Sequence, residues 1–292
     1  MQDLLQQVFN GLVVGSVYIL MAVGLTIIFG VMKIVNFAHG EFYMVGAYVA
    51  FYLVSLAGLN FFVALILASV LVGLFGILIE RLINRFGKDM AELEYTYFTI
   101  LLTIAISLVL ANTVNVLAGP SQHQIATGIS TAPIQIGPVV VSEFKLLVIV
   151  IAFSLSMIFG LFLKYSKFGK AMRATFENRE AAASVGINTN IINMVTFAIG
   201  AAMASIGGIL VGAMFNIFPF MGSQASLKAF AVVILGGLGS FIGAVVGGLA
   251  LGIIESIASG YFAVGYKEAI SFVLIILVLV FRPEGLAGRI SR

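Results

Sequence analysis

Few side chains in this chain could do covalent chemistry, and they are dispersed. There is no cysteine, and the only histidines are His39 and His123. The only aspartates are Asp3 and Asp89, and neither falls in an apolar stretch. Lack of cysteine removes disulfides and thiolate metal sites. His39 has no second ligand near it in sequence, so no metal site is expected. The HExxH and GxSxG patterns are absent, which leaves intramembrane metallo-, serine or aspartyl proteolysis almost nothing to work with. GxxxxGK[ST] is absent too, so this chain does not bind ATP through a P-loop. What remains is binding and mechanical work.

Three places could carry it. Carriers driven by protons or ions usually hold ionisable groups at mid-membrane; the candidates here are Glu41, Glu80 and Glu255. Each is expected near an end of its apolar stretch, which disfavours ion coupling. Asn36, His39 and Glu41 cluster in VMKIVNFAHGEFYMVG, at a break between two apolar stretches. They read either as an unwound or re-entrant segment lining the path or gate, or as residues capping the helix that follows, with His39 satisfied by backbone. The glycines Gly237, Gly239, Gly243, Gly247, Gly248 and Gly252 lie in ILGGLGSFIGAVVGGLALG. They read either as thin helices at a subunit seam, with solute moving along exposed backbone, or as packing within the chain.

The third place is KYSKFGKAMRATFENREAAASVGI, residues 164–187. It carries Lys164, Lys167, Lys170, Arg173 and Arg179 against Glu177 and Glu180. Residues 170–185 are rich in helix formers and predict one short helix, with Gly186 as its stop. Such a segment reads either as a lever presented to a partner subunit or as an ordinary basic loop of a membrane protein.

The elements that must position these residues are apolar spans. Of 292 residues, 61% are hydrophobic and 9% charged, against about a quarter charged in soluble domains. A water-soluble fold could not bury this much apolar side chain, so the chain belongs in a bilayer. About eight or nine stretches fit the roughly 20 residues a span requires. They are expected at about 5–29, 41–56, 59–83, 95–117, 144–163, 191–215, 227–257 and 269–281. The whole of 1–292 reads as a single transmembrane domain. Met1-Gln2-Asp3 lacks the basic region of a signal peptide, so the first span is expected to be retained. Residues 118–142, with Pro120, Pro133 and Pro138 and no charge, read as a structured loop, and residues 218–226 as a second one. Twelve of the 15 basic residues fall at Lys33, in the loop from Arg81 to Lys88, in 164–187 and in the tail. Lys145, Lys228 and Lys267 fall on the other side. Positive-inside asymmetry therefore places 164–187 and the C-terminus in the cytoplasm, with the N-terminus and 118–142 outside. The parity holds only if 227–257 is a helical hairpin, turned at Gly236-Gly237-Leu238-Gly239.

Several motifs together carry a resemblance. The Glu180-Ala181-Ala182 triplet followed by Gly186 resembles the coupling helix of bacterial ABC importer permeases, although the I-x-L-P continuation of that pattern is missing. With KIVNFAHGEFYMVGAY, FGKAMRATFENREAAASVGIN and VILGGLGSFIGAVVGG, essentially the whole chain resembles the branched-chain amino-acid ABC permease family, in its shorter permease. The resemblance implies an all-α polytopic membrane protein of the type II importer kind, without cofactor or nucleic acid. It implies a second homologous permease subunit, two ATP-binding subunits and a periplasmic substrate-binding protein that delivers leucine, isoleucine or valine. Lys170, Arg173, Glu177, Glu180, Ala181 and Gly186 would then couple to the ATPase. Asn36, His39, Glu41, Gly237, Gly239 and Gly243 would line the path or gate. Urea or short amides are the alternative solutes within the same family. The alternative classes are a self-sufficient channel or carrier for a small neutral solute, and a purely structural scaffold.

Overall fold

The computed structural model describes residues 2–87, 90–130, 132–261, 267–282 and 284–287. Its axis is α1 (Gln2–Met32), 31 residues long, of which the apolar window is 78% buried. Burial on nearly all sides is possible because α1 is thin where it meets α10 (Phe241–Tyr261). A Cβ on Gly11 would lie 2.5 Å from the Cα of Ile253, and one on Gly15 would lie 3.0 Å from the carbonyl oxygen of Gly248. Gly11 and Gly15 thus meet Gly252 and Gly248 in reverse order, so the two helices run antiparallel with backbones in contact.

Around this axis stand α2 (His39–Ser55), α3 (Phe61–Gly87), α4 (Glu92–Ala118), α5 (Glu143–Tyr165), α8 (Thr189–Met214), α9 (Met221–Gly236) and α11 (Lys267–Phe281). Two short helices, α6 (Lys167–Glu177) and α7 (Arg179–Ser184), lie between α5 and α8. Among the described residues six helices are long and apolar enough to cross a membrane: α1, α3, α4, α5, α8 and α10. This is fewer than eight or nine, because α2, α9 and α11 are 17, 16 and 15 residues long. The α9–α10 pair is the expected hairpin. Gly237 and Gly239 both hold positive φ, 103° and 80°, which only glycine adopts without strain.

The segments divide between two ends. At one, Gly30 closes α1 beside Gly239, and Leu286 and Ala287 of the tail donate N–H bonds to the carbonyls of Leu235 and Gly236. The C-terminal part of α3 lies at this end as well, because α3 packs antiparallel on α8 through Gly73 against Ala198 and Ala202, and Gly76 against Phe197 and Ala201. At the other end, Gln6 makes two hydrogen bonds to the backbone of Val140, and His123 pairs with Ile217. The basic segments grouped by charge therefore do share one end. Lys88, Arg289 and Arg292 of that group lie outside the described residues, as does the side chain of Lys267.

Two expectations are corrected. The chain is not wholly helical: β1 (Pro133–Ile136) and β2 (Val139–Ser142) form an antiparallel hairpin, turned at Gly137 with φ 60°. The second loop is shorter than residues 218–226, because α9 already begins at Met221.

Candidate coupling element and polar core

Residues 167–184 form two helices rather than one. Asn178 breaks them, with extended backbone (φ −155°, ψ 111°), and its carboxamide oxygen accepts the N–H of Ala181 at 2.9 Å. A side chain that caps the next helix competes with continuation of the previous one. Ser166 caps α6 in the same way by accepting from Gly169 N–H at 2.8 Å. Gly186, at φ 87°, ends the element as expected.

The element is amphipathic. Met172, Thr175 and Ala182 are buried, while Lys170, Arg173, Glu177, Glu180, Ala181 and Gly186 are all exposed. Arg173 turns back and donates to the carbonyl of Lys164 at 3.1 Å, satisfying an end carbonyl of α5. Phe176, which sequence reasoning did not single out, makes the joint with the rest of the bundle. A Cβ on Gly30 would lie 3.0 Å from Phe176 Cδ2, and one on Gly239 would lie 2.9 Å from its Cε2. The ring thus lies across two glycines, one closing α1 and the other in the α9–α10 turn. A bulky residue bracketed in space by small ones was the missing signal, and it cannot be read along the chain.

Asn36, His39 and Glu41 come together as the start of a broken helix. α1 ends at Met32, and Lys33 just after it is exposed and left-handed (φ 54°). Residues 34–38 then run back into the bundle, and α2 starts beside the middle of α1. There His39 Nε2 lies 3.0 Å from the carbonyl oxygen of Met21, roughly 16 Å before the end of α1 at 1.5 Å per residue. Backbone freed by the break is satisfied from neighbouring helices. Thr103 of α4 accepts Phe37 N–H, while Ser226 of α9 accepts Gly40 N–H and donates to the Phe37 carbonyl. Asn36 Oδ1 accepts Ala38 N–H at 3.1 Å, and Ser107 donates to Glu41 at 2.9 Å. The re-entrant geometry therefore occurs together with a histidine whose Nε2 meets backbone while its Nδ1 is buried without a partner among the described residues. All three side chains are sealed in this conformation, at 0%, 0% and 1% exposure.

The glycine run divides. Gly243 and Gly247 pack on Gly236 and Val232 within the hairpin, while Gly248 and Gly252 pack on α1. Gly237 is buried against Gly285 of the tail, and Gly239 is half-buried beneath Phe176.

The three acids are sealed, Glu41 in the first turn of α2 and the other two more than a turn from the ends of α3 and α10. Glu41, Glu80 and Glu255 are 1%, 1% and 0% exposed. Glu80 accepts from Asn84 at 2.8 Å. Glu255 accepts from Tyr18 at 2.8 Å, from Ser271 and from Lys228, its ion-pair partner. Span limits drawn from hydropathy ended the stretch at 257, close to Glu255, whereas α10 runs on to Tyr261. Beside Glu255 a cavity of about 250 Å³ opens at the end where Gln6 meets the β-hairpin, with Gln7, Asn10, Lys145, Ser256 and Ser259 in its wall. Among the described residues no group of three or more metal-ligating side chains is present.

Residues 7–279 match the family described as "Branched-chain amino acid transport system / permease component". The chain is similar to the high-affinity branched-chain amino acid transport system permease protein LivH of Escherichia coli (strain K12), at 35% identity over 98% of this chain and 96% of that protein. It is 36% identical to the permease protein BraD of Pseudomonas aeruginosa, again over 98% and 96%. A probable LivH of Methanocaldococcus jannaschii is 27% identical over 96% of this chain and 91% of its own length. No solved structure matches. With the match running from the first turns of α1 to the end of α11, the chain belongs to the branched-chain amino acid transport system permease component family.

Proposed function

We propose that this chain is the membrane-spanning permease subunit of an ATP-driven importer of leucine, isoleucine and valine. The observation that carries the proposal is the α6–α7 element, exposed on the end where the basic residues collect, in a chain whose whole length matches a permease family. A chain without a P-loop takes its drive from elsewhere. Two ATP-binding subunits would serve the assembly, one of them docking on the exposed face of α6–α7 through Lys170, Arg173, Glu177, Glu180, Ala181 and Gly186. A second, homologous permease completes the path, and a periplasmic binding protein delivers solute at the opposite end. The protein would sit in the inner membrane, with the basic end and C-terminus in the cytoplasm and the N-terminus and β-hairpin outside. On this reading α2, α9 and α11 add partial or tilted crossings to the six long helices, giving eight or nine. Asn36, His39 and Glu41, with Gly237, Gly239 and Gly243, belong to the gate. Their burial fits a closed state, which opening of the α2–α9 contact would expose.

The test is reconstitution. Proteoliposomes holding the chain with its partner permease, ATPases and binding protein are expected to take up leucine only with ATP inside. Leucine flux through the chain alone would overturn the proposal in favour of a channel or carrier. Docking is tested by Arg173→Glu and Gly186→Pro. Either change is expected to lower uptake and ATPase assembly, and retention of both activities in both variants excludes α6–α7 as the contact.

A further inference from the structure

The cavity beside Glu255 lies at the end opposite the coupling element, and its wall is of two kinds. One part is polar: Gln7, Asn10, Lys145, Ser256 and Ser259, with Glu255 at its edge. The other is apolar: Val13, Val14, Met214 and Phe215. Concentrating so many polar groups is unusual for a chain that is 9% charged, and most of them hold one another in place: Asn10 accepts from Gln6 at 3.5 Å, and Ser259 donates to the carbonyl of Ser256 at 2.9 Å, which leaves its oxygen free to accept. Gln7 accepts from Ser256 at 3.0 Å, and the charge of Glu255 is offset by Lys228.

Lys145 is different. Among the described residues its ammonium has neither ion pair nor side-chain hydrogen bond, although the residue is half-buried. It also sits in the first turn of α5, where the helix dipole disfavours a cation. Its charge therefore gains nothing from its own helix and is available to an anion. A volume of about 250 Å³ is a small pocket by the standard of roughly 300–1,000 Å³ for drug-sized ligands, and suits a solute of amino-acid size.

We propose that this cavity is a transfer site for a free aliphatic α-amino acid at the outer end of the permease. Lys145 holds the carboxylate, the carboxamide and hydroxyl oxygens of Asn10, Gln7 and Ser259 receive the ammonium, and Val13, Val14, Met214 and Phe215 take the side chain. The proposal rests on the permease reading above and refines it. The first polar contact after delivery is charged rather than made by backbone alone, and it selects zwitterions against neutral amides.

The experiment uses the full transporter in detergent without its binding protein, and radiolabelled leucine as probe. Leucine is expected to bind saturably, in the roughly millimolar range of a weak site. Lys145→Gln is expected to weaken it about tenfold, the order of one charge-assisted hydrogen bond, and Lys145→Arg to retain it. Leucinamide, which lacks the carboxylate, is expected to compete poorly with the parent protein. A second readout guards against a misfolded variant. Because this chain has no cysteine, Ser259→Cys supplies its single thiol, and leucine should slow modification of that thiol by a charged methanethiosulfonate where leucinamide does not. Equal leucine binding by Lys145→Gln and the parent, or a labelling rate indifferent to leucine, overturns the site. If those failures occur while binding-protein-dependent uptake continues, the site falls and the permease reading stands. Absence of uptake from the complete transporter removes that reading and the site with it.

Discussion

Two joints of this molecule use glycine in opposite ways. At the α1–α10 seam glycine faces glycine: Gly15 meets Gly248 and Gly252 with backbone on backbone. At the basic end glycine faces an aromatic ring, because Gly30 and Gly239 lie under Phe176. The first kind of contact has one distance of closest approach and nothing that can rotate. The second is a side chain, 37% exposed, resting in a shallow seat that it can leave or re-enter. Interdigitated backbones move as one body, whereas a seated ring can follow a moving helix. The difference suggests a division of labour in which α1 and α10 form the block and α6 is the handle on it.

The largest effect is expected where the block is broken. Gly15→Leu places four carbons where even a Cβ on the native backbone would be 3.0 Å from a carbonyl oxygen. Nothing there can yield except the helices themselves. Overpacking typically costs 1–3 kcal/mol and more when backbone must shift, so little folded protein should survive, as read by size-exclusion chromatography after detergent extraction. A normal elution profile and melting curve would mean the seam is not rigid.

Next comes the buried ion pair that ties the two hairpin helices to one another. Lys228→Met removes the ammonium from a fully buried carboxylate, and breaking such a pair costs about 3 kcal/mol or more. The thermal midpoint in detergent should fall by several degrees. Adding Glu255→Gln should restore much of it, since a neutral pair no longer buries a net charge. If the double variant is no better than the single one, the ion pair is not what holds α9 to α10 at that level.

Phe176→Ala should behave differently from both. Its ring is partly solvated, so folding should lose only about 1–2 kcal/mol, within reach of a stable complex. Uptake driven by the ATPases should drop about tenfold while ATP hydrolysis continues, because the handle no longer bears on the Gly30–Gly239 seat. Phe176→Tyr should keep both activities. Uptake and hydrolysis falling together in Phe176→Ala would assign the ring to assembly rather than to transmission.

How far these joints could be read in the sequence follows from the range of the interactions that make them. The α9–α10 hairpin was legible because its turn needs positive φ at Gly237 and Gly239, and glycines there can be counted along the chain. The exposed face of α6–α7 was legible from charge. Phe176 was not, since its seat is assembled from residues 63 and 146 positions away. Nor were the depth of Glu255 or the availability of Lys145. Each depends on what stands opposite, Lys228 in the first case and the α1 wall of the cavity in the second. Hydropathy marks where a helix is apolar but not which turn its neighbours cover. The β-hairpin escaped notice because charge-poor residues rich in proline and glycine read as loop, and its register is fixed partly by Gln6 gripping Val140 from another element.

The smallest effect concerns the break inside the handle. Asn178 ends α6 and caps α7, whereas an unbroken helix was expected. Asn178→Ala removes the acceptor of the Ala181 N–H bond and should cost about 1 kcal/mol. Because alanine favours helix interiors, the substitution should also tip the junction towards one continuous helix. That would swing Glu180 and Ala181 away from their present direction without disturbing Phe176 or Met172, which lie before the break. Hydrogen exchange should therefore change at residues 178–186 and stay unchanged at 167–176. ATPase affinity should weaken a few fold while the tenfold coupling defect of Phe176→Ala does not appear. Exchange that changes along the whole of 167–186 would instead mean that α6 and α7 move as one rod, and that the break only bends the handle without dividing docking from transmission.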